Sequence, residues 1–181
     1  LIPGFKEQIK ILSEAGADFL ILEAMSSALK TVETLVKCSL DANLPVWLSI
    51  SCALDKKADK LMLGYQESIK KNTKSFLYND FNNSIKTIKK IHKGPILIAH
   101  TDMIIMKRAL TELKYNFDGI IGAYPNVGYF EKPTWNFMEE EISPSQYCDE
   151  AKSWIDAGAQ IIGGCCGVGP KRIEAISKYK L

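Results

Sequence analysis

The chain has 181 residues, 46% of them hydrophobic and 24% charged, with a formal net charge of +2. That is enough for one sizeable core, so 1–181 reads as a single domain or part of one. The mild charge, with lysines scattered over helix faces, argues against a nucleic-acid binder and for small-molecule partners. No apolar run nears the ~20 residues that cross a bilayer, because ADFLILEAM is short and interrupted by Glu23, so no membrane role is expected. The opening LIPGFKEQIK lacks the parts of a secretory leader. Cys38, Cys52, Cys148, Cys165 and Cys166 are an odd set that suits free thiols in a reducing, cytoplasmic compartment better than a disulfide framework.

In chain order, Phe5, Ile9 and Leu12 share one face of a helix that ends at Gly16, a natural C-cap. ADFLILE is a short buried strand. Ser26 or Ser27 then caps a second helix that turns Leu29, Val32, Leu35, Val36 and Leu40 inward. LPVWLSISC is the next strand. Residues 53–80 show no single period; at about twice the usual upper loop length, they predict a lid over a site or a loop with a short helix of its own. A helix with Phe81, Ile85, Ile88 and Ile91 on one face precedes the strand PILIAH, and MIIMKRALTELK is helical. DGIIGAY is a strand, and PNVGYFEKPTWNFMEEEI a second long loop. Ser143-Pro144-Ser145-Gln146 starts a helix, with a capping Ser, Pro at the first helical position and Gln three residues after the cap. The strand AQIIGG and a last helix opened by Pro170 complete the chain.

A helix followed by five strands, each succeeded by a helix, predicts right-handed βαβ units and a parallel sheet buried on both faces. The unusual residues fall just after strand ends: Glu23, Cys52, His100, the Tyr124-Pro125-Asn126 turn, and Cys165-Cys166. That face holds the active site of a (β/α) barrel. A complete barrel has eight strands and typically about 250 residues. The chain therefore reads as about the last five β/α units of a TIM (β/α)8 barrel, with N-terminal strands absent.

Adjacent cysteines have three readings: buried thiols of hydrophobic character, a strained vicinal disulfide, or part of a zinc site in which thiolate and imidazole ligands leave one position open. Gly163, Gly164, Gly167 and Gly169 favour the metal, because a tight turn lets two consecutive side chains converge. His100 is the candidate third ligand and Cys52 the reserve. His92 is expected to be solvated at a helix end on the opposite rim, and Cys38 and Cys148 to be packing residues inside helices.

IIGGCCGVGPKRI, with AYPNVG and AGADFLILEAMSSALKTVETL upstream, resembles the homocysteine S-methyltransferases, the zinc-dependent family that includes the betaine–homocysteine enzymes. The resemblance covers nearly the whole chain apart from residues 53–80, and Gly-Gly-Cys-Cys-Gly is its most specific motif. It implies a (β/α)8 barrel in which the paired cysteines and one earlier cysteine bind zinc. Here IAHTD puts His100 at or beside that earlier position, and imidazole makes the ligand set less negative. The family's N-terminal half, with an Asp-Gly-Gly segment that helps hold homocysteine, has no counterpart in this chain.

The implied reaction is transfer of a methyl group from a small sulfonium, betaine-like or related donor to the thiol of homocysteine, giving methionine. The zinc would supply the thiolate, and no side-chain base is needed. The family's glutamate for the homocysteine amino group corresponds to Glu23, whose alternative is a helix cap or surface ion pair. Tyr124 and Asn126 line the pocket or form an ordinary turn. Tyr129 and Trp135 are an aromatic surface for a cationic donor or loop packing. Asp102 caps the following helix or supports the metal. The competing functions are a non-catalytic zinc- or thiol-binding half-barrel, that is, a degenerate family member or regulatory subunit, and a dithiol redox protein; in any of them the chain is expected to form a homo-oligomer or to need a missing N-terminal half.

Overall fold

A computed structural model describes residues 2–137 and 142–179, the side chain of Ala24 apart. Helix α1 (Ile2–Glu14) leads into β1 (Leu20–Met25), α2 (Leu29–Ser39) and β2 (Val46–Ile50). Three short strands follow, β3 (Cys52–Asp55), β4 (Lys60–Tyr65) and β5 (Phe76–Asp80), before α3 (Phe81–Ile91), β6 (Ile96–Asp102) and α4 (Met103–Asn116). Then come β7 (Ile121–Asn126), a hairpin of β8 (Gly128–Glu131) and β9 (Thr134–Phe137), α5 (Pro144–Asp156), β10 (Ile161–Ile162) and α6 (Pro170–Lys178).

Strands β1, β2, β6, β7 and β10 form one parallel sheet in that spatial order, with a helix in every crossover, as the alternation of apolar runs and amphipathic helices requires. Leu48, Ile50, Ile96, Ile98, Ile121 and Ala123 are fully buried on the strands. Val32, Val36, Ile85, Ile88, Leu110, Leu113 and Trp154 pack on them from the helices. Among the described residues no helix is long and apolar enough to cross a membrane.

Local signals set several helix ends. Gly16 takes a positive φ of 86° after α1. Asp80 and Asp102 accept from the backbone N–H groups of Asn83 and Ile104, and Ser143 and Gln146 form a reciprocal capping box. Helix α2 differs. Its N-cap is Ala28, not Ser26 or Ser27, and the N–H of Leu29 donates to Asn79 Oδ1 on β5, 50 residues away, at 2.9 Å. Leu12 and Leu40, both expected to face inward, are 43% and 62% exposed.

Residues 53–80 hold no helix of their own but an antiparallel sheet in the order β3-β4-β5, which the absence of a single period did not suggest. Leu61 and Leu63 point into the core and Lys60 into solvent, a period-two pattern too short to stand out among the lysines of the turn between them. The turn is made by the Asp55 carboxylate, which accepts from the N–H groups of Lys57 and Ala58. Arg108 of α4 clamps it by donating to Asp59 Oδ1 and O, both at 2.7 Å. In the second long loop, the described residues form the hairpin β8–β9; residues 138–141 of that stretch lie outside the described residues.

His92, expected to be solvated, is 4% exposed and lies 3.1 Å from Pro95 O through Nε2, which must therefore carry the proton. Burial lowers its pKa from the usual histidine value, against the opposing pull of the Pro95 and Gly94 backbone. A group held neutral in the fold adds stability above its unfolded pKa of about 6.5, and that stability is lost as pH falls through the lower folded value. Urea midpoints should therefore drop below pH 6.5, and His92→Gln should flatten that drop. An unchanged slope in the variant would show that other groups cause it.

Candidate metal centre

Two strand irregularities build the site. In β6 the register passes from Ala99 opposite Tyr124 to Asp102 opposite Asn126, so His100 and Thr101 together face Pro125 alone. This is a β-bulge, and His100 takes a positive φ of 43° in it. Thr101, fully buried, holds the bulge by donating to Ala99 O at 2.7 Å while accepting from the N–H of Cys52 at 3.0 Å. A second bulge in β1, between Leu22 and Met25, carries Glu23.

Past the short strand β10, the backbone keeps bonding to β7: the N–H of Cys165 donates to Pro125 O, and that of Val127 to Cys166 O. Between these anchors the chain turns tightly, with the N–H of Val168 donating to Cys165 O at 3.1 Å. Gly167 has a φ of 78°, and a Cβ there would meet Val127 O at 2.5 Å, so this glycine is required by both conformation and space. Tyr147 donates to Gly163 O at 2.7 Å, and buried Arg172 donates to Gly167 O at 3.2 Å and to Ile142 O, bracing the turn from below.

The consequence is convergence. The thiols of Cys165 and Cys166 and a ring nitrogen of His100 lie within 4.8 Å of one another, each side chain half-buried. The two sulfurs are 3.8 Å apart. Two thiolates at about 2.3 Å from one tetrahedral zinc are separated by about 3.8 Å, so the donor types and the sulfur spacing both fit that ion. Burial alone would raise the Cys165 thiol, but hydrogen bonds with the His100 side chain and with Cys166 outweigh it and hold the pKa below the usual cysteine value. Cys166 is pushed up to about 11 by burial and by the charge of Cys165, so the pair ionises in two steps.

Cys52 is not in this group. It is fully buried at the start of β3, and burial pushes its thiol up to about 12. Cys38 and Cys148 are buried inside α2 and α5, and all five cysteines are free. Asp102 is a cap, as one of its two readings held: Oδ1 accepts from Ile104 N at 2.8 Å and Oδ2 from Ile69 N at 2.5 Å, tying residues 66–73 to α4.

Glu23 is neither a helix cap nor, among the described residues, an ion-pair partner. The Tyr124 hydroxyl lies 3.0 Å from both of its carboxylate oxygens. Strands β1 and β7 are three places apart, a separation of about 14 Å in a flat sheet, so this contact requires strong curvature. Burial, ahead of the neighbouring Glu23 charge, raises the Tyr124 hydroxyl above its ordinary pKa. Asn126, 2% exposed, is the last residue of β7 and not a free turn; its Nδ2 donates to Glu67 O at 3.0 Å, and Oδ1 has no partner among the described residues. Of Tyr129 and Trp135, the first has Lys71 Nζ 5.8 Å from its ring centroid, and the second packs within its own hairpin against Phe130 and Phe137 at 5.7 and 6.2 Å.

Sequence reasoning missed the residues that seat this hairpin and the histidine. The Glu67 carboxylate accepts from Phe130 N at 2.6 Å. Tyr65, at the end of β4, packs on the His100 ring with centroids 5.4 Å apart. Both lie in the stretch without a clear period, where only the isolated Gly64 marked a special backbone position.

The homocysteine S-methyltransferase family model matches residues 1–179. Homocysteine S-methyltransferase 3 of Zea mays is 26% identical over 96% of this chain and 47% of its own length. Homocysteine S-methyltransferase 1 of Arabidopsis thaliana is 28% identical over 96% of this chain and 49% of its own. The chain thus spans about half the length of these relatives. The metallated form of the homocysteine methyltransferase MmuM from Escherichia coli has the same fold, with a TM-score of 0.67 at 20% identity over 97% of this chain and 51% of that one. With nearly every residue matched by that one model, the chain belongs to the homocysteine S-methyltransferases, a family of enzymes.

Proposed function

We propose that His100, Cys165 and Cys166 hold a zinc ion and that the chain serves methyl transfer from a small cationic donor to the thiol of homocysteine, giving methionine. The observation that carries this reading is the convergence of two thiols and an imidazole within 4.8 Å at strand C-terminal ends. When bound, zinc supplies the Lewis acidity that lets a substrate thiol ionise at neutral pH. The chain's own residues bind and orient. The Glu23 carboxylate takes the amino group of homocysteine, and the Tyr124 hydroxyl, 3.0 Å from both oxygens, fixes that carboxylate. Asn126 shapes the pocket from a buried position, its Oδ1 without a partner among the described residues. The substrate sulfur forms its new bond to the methyl carbon as the bond from that carbon to sulfonium sulfur or quaternary nitrogen breaks. The electron pair stays on the leaving group, which becomes neutral, so alignment is the main demand.

In this reading the curved sheet is the last five β/α units of a (β/α)8 barrel, completed by N-terminal strands from elsewhere in the protein or from a second chain. The free thiols suit the cytoplasm, and the partners are small molecules, with no nucleic acid or membrane.

Metal analysis and an assay with homocysteine and a panel of donors test the proposal. His100→Ala should weaken zinc binding by more than about tenfold, since direct ligation exceeds an outer-shell contribution. His100→Cys should keep stoichiometric zinc, and Cys52→Ser should leave it unchanged. Zinc lost from Cys52→Ser but kept by His100→Ala would overturn the ligand assignment. A zinc-loaded protein, with its N-terminal half present, that methylates homocysteine from no donor would instead be the non-catalytic half-barrel.

A further inference from the structure

We infer that Tyr65 is a positioning residue for His100: the antiparallel excursion between β2 and α3 brings an aromatic ring against the imidazole and fixes its orientation toward the two cysteines. The inference rests on the reading of His100 as a metal ligand.

An imidazole ligand has two torsions to restrain, and its unligated nitrogen normally does this by donating to a carboxylate or a carbonyl. His100 has no such bond among the described residues; its polar neighbour is the Cys165 thiol on the side where a metal would sit. The backbone in the bulge fixes where the side chain starts, at φ 43°, but leaves the ring free to turn. What meets the ring is Tyr65, at 5.4 Å between centroids and 50° between planes, a tilted aromatic contact.

Tyr65 is itself held. It is the register partner of Phe76 across β4 and β5, and the two rings stack at 4.7 Å and 18°. Lys74 Nζ lies 4.7 Å from the centroid of the Phe76 ring. Phe76, Tyr65 and His100 are therefore linked by successive ring contacts, anchored in a sheet whose bulge between Leu63 and Gly64 sets where Tyr65 falls. A ring held by packing is restrained without a hydrogen bond, so Tyr65 acts on orientation alone. The phenol hydroxyl is dispensable in this account and the ring is not.

The test is titration of the full apo chain with cobalt(II), read by its d–d bands and by competition with a chelator. Tyr65→Ala should weaken cobalt binding about tenfold, the lower end of what an outer-shell partner contributes, and should alter the bands. Tyr65→Phe should restore both, and Phe76→Leu, which removes the backing ring and keeps an apolar strand residue, should give an intermediate affinity. Thermal unfolding of each variant separates a local change from loss of fold. If Tyr65→Ala and Phe76→Leu both keep wild-type bands and affinity while His100→Ala changes them, Tyr65 does not position the ligand and the inference is overturned alone. If His100→Ala also leaves the bands and affinity unchanged, His100 is no ligand, and the inference falls with the reading beneath it.

Discussion

Replacing Cys165 and Cys166 together by serine will leave the protein unable to hold stoichiometric zinc. Among the described residues the two thiols are the sulfur donors of the cluster, and their 3.8 Å separation already matches a shared tetrahedral ion. A serine hydroxyl does not ionise near neutral pH, so each substitution removes a negative charge as well as a soft ligand. Each single variant should lose more than about 100-fold in zinc affinity, beyond the usual cost of an outer-shell change, and all methyl transfer. The fold should survive: both side chains are half-buried, serine is close to isosteric, and stability should move by no more than about 0.5 kcal/mol. Zinc retained by the double variant, measured by elemental analysis after dialysis, would place the metal elsewhere.

Gly64→Ala will be among the most damaging single substitutions for stability. At a φ of 150° the added Cβ would stand 1.9 Å from Phe76 O, a backbone atom of the paired strand that cannot swing aside. Either the β4–β5 pairing opens or the backbone of Gly64 leaves its conformation, and the cost should be about 3 kcal/mol. For a chain of this size, that lowers the melting temperature by roughly 6–12 °C. Because Tyr65 follows directly, cobalt affinity should fall as well. A variant within about 0.5 kcal/mol of wild type in urea unfolding would mean that β4 and β5 can separate without consequence.

Much of the molecule is legible from its sequence, and the boundary between what is and what is not has a physical origin. The parallel strands are short apolar runs, the helices carry one apolar face, and Ser143 with Gln146 caps α5 within four residues, so neighbours in sequence hold the signal. The Cys165-Cys166 pair with its glycines is equally local, and so is His100 at the end of ILIAH. Most of the failures depend on distant partners. Asn79 caps a helix 50 residues away, Arg108 fixes a turn 49 residues away, and Tyr65 finds His100 only once β4 has paired with β3. His92 is an exception: its partners Gly94 and Pro95 are only two and three residues on, but the helix pattern does not show that they fold back over the ring. Glu23 and Tyr124 are 101 residues apart, and their contact requires a curved sheet that no single strand encodes.

The two bulges explain why the site residues stand out from the strands that carry them. A strand in register sends successive side chains to opposite faces, whereas the extra residue at each bulge lets Glu23 and His100 leave that alternation. Thr101, buried and bonded to both Ala99 O and the N–H of Cys52, keeps the β6 bulge closed.

X-ray absorption at the zinc edge of the unmodified protein, loaded with one equivalent of metal, tests the central claim most directly, because it counts sulfur against nitrogen neighbours. The account predicts two sulfur neighbours at about 2.3 Å with an imidazole nitrogen at about 2.0 Å, the nitrogen lost in His100→Ala. Three protein sulfurs before any homocysteine is added, or a nitrogen shell that persists in that variant, would contradict it.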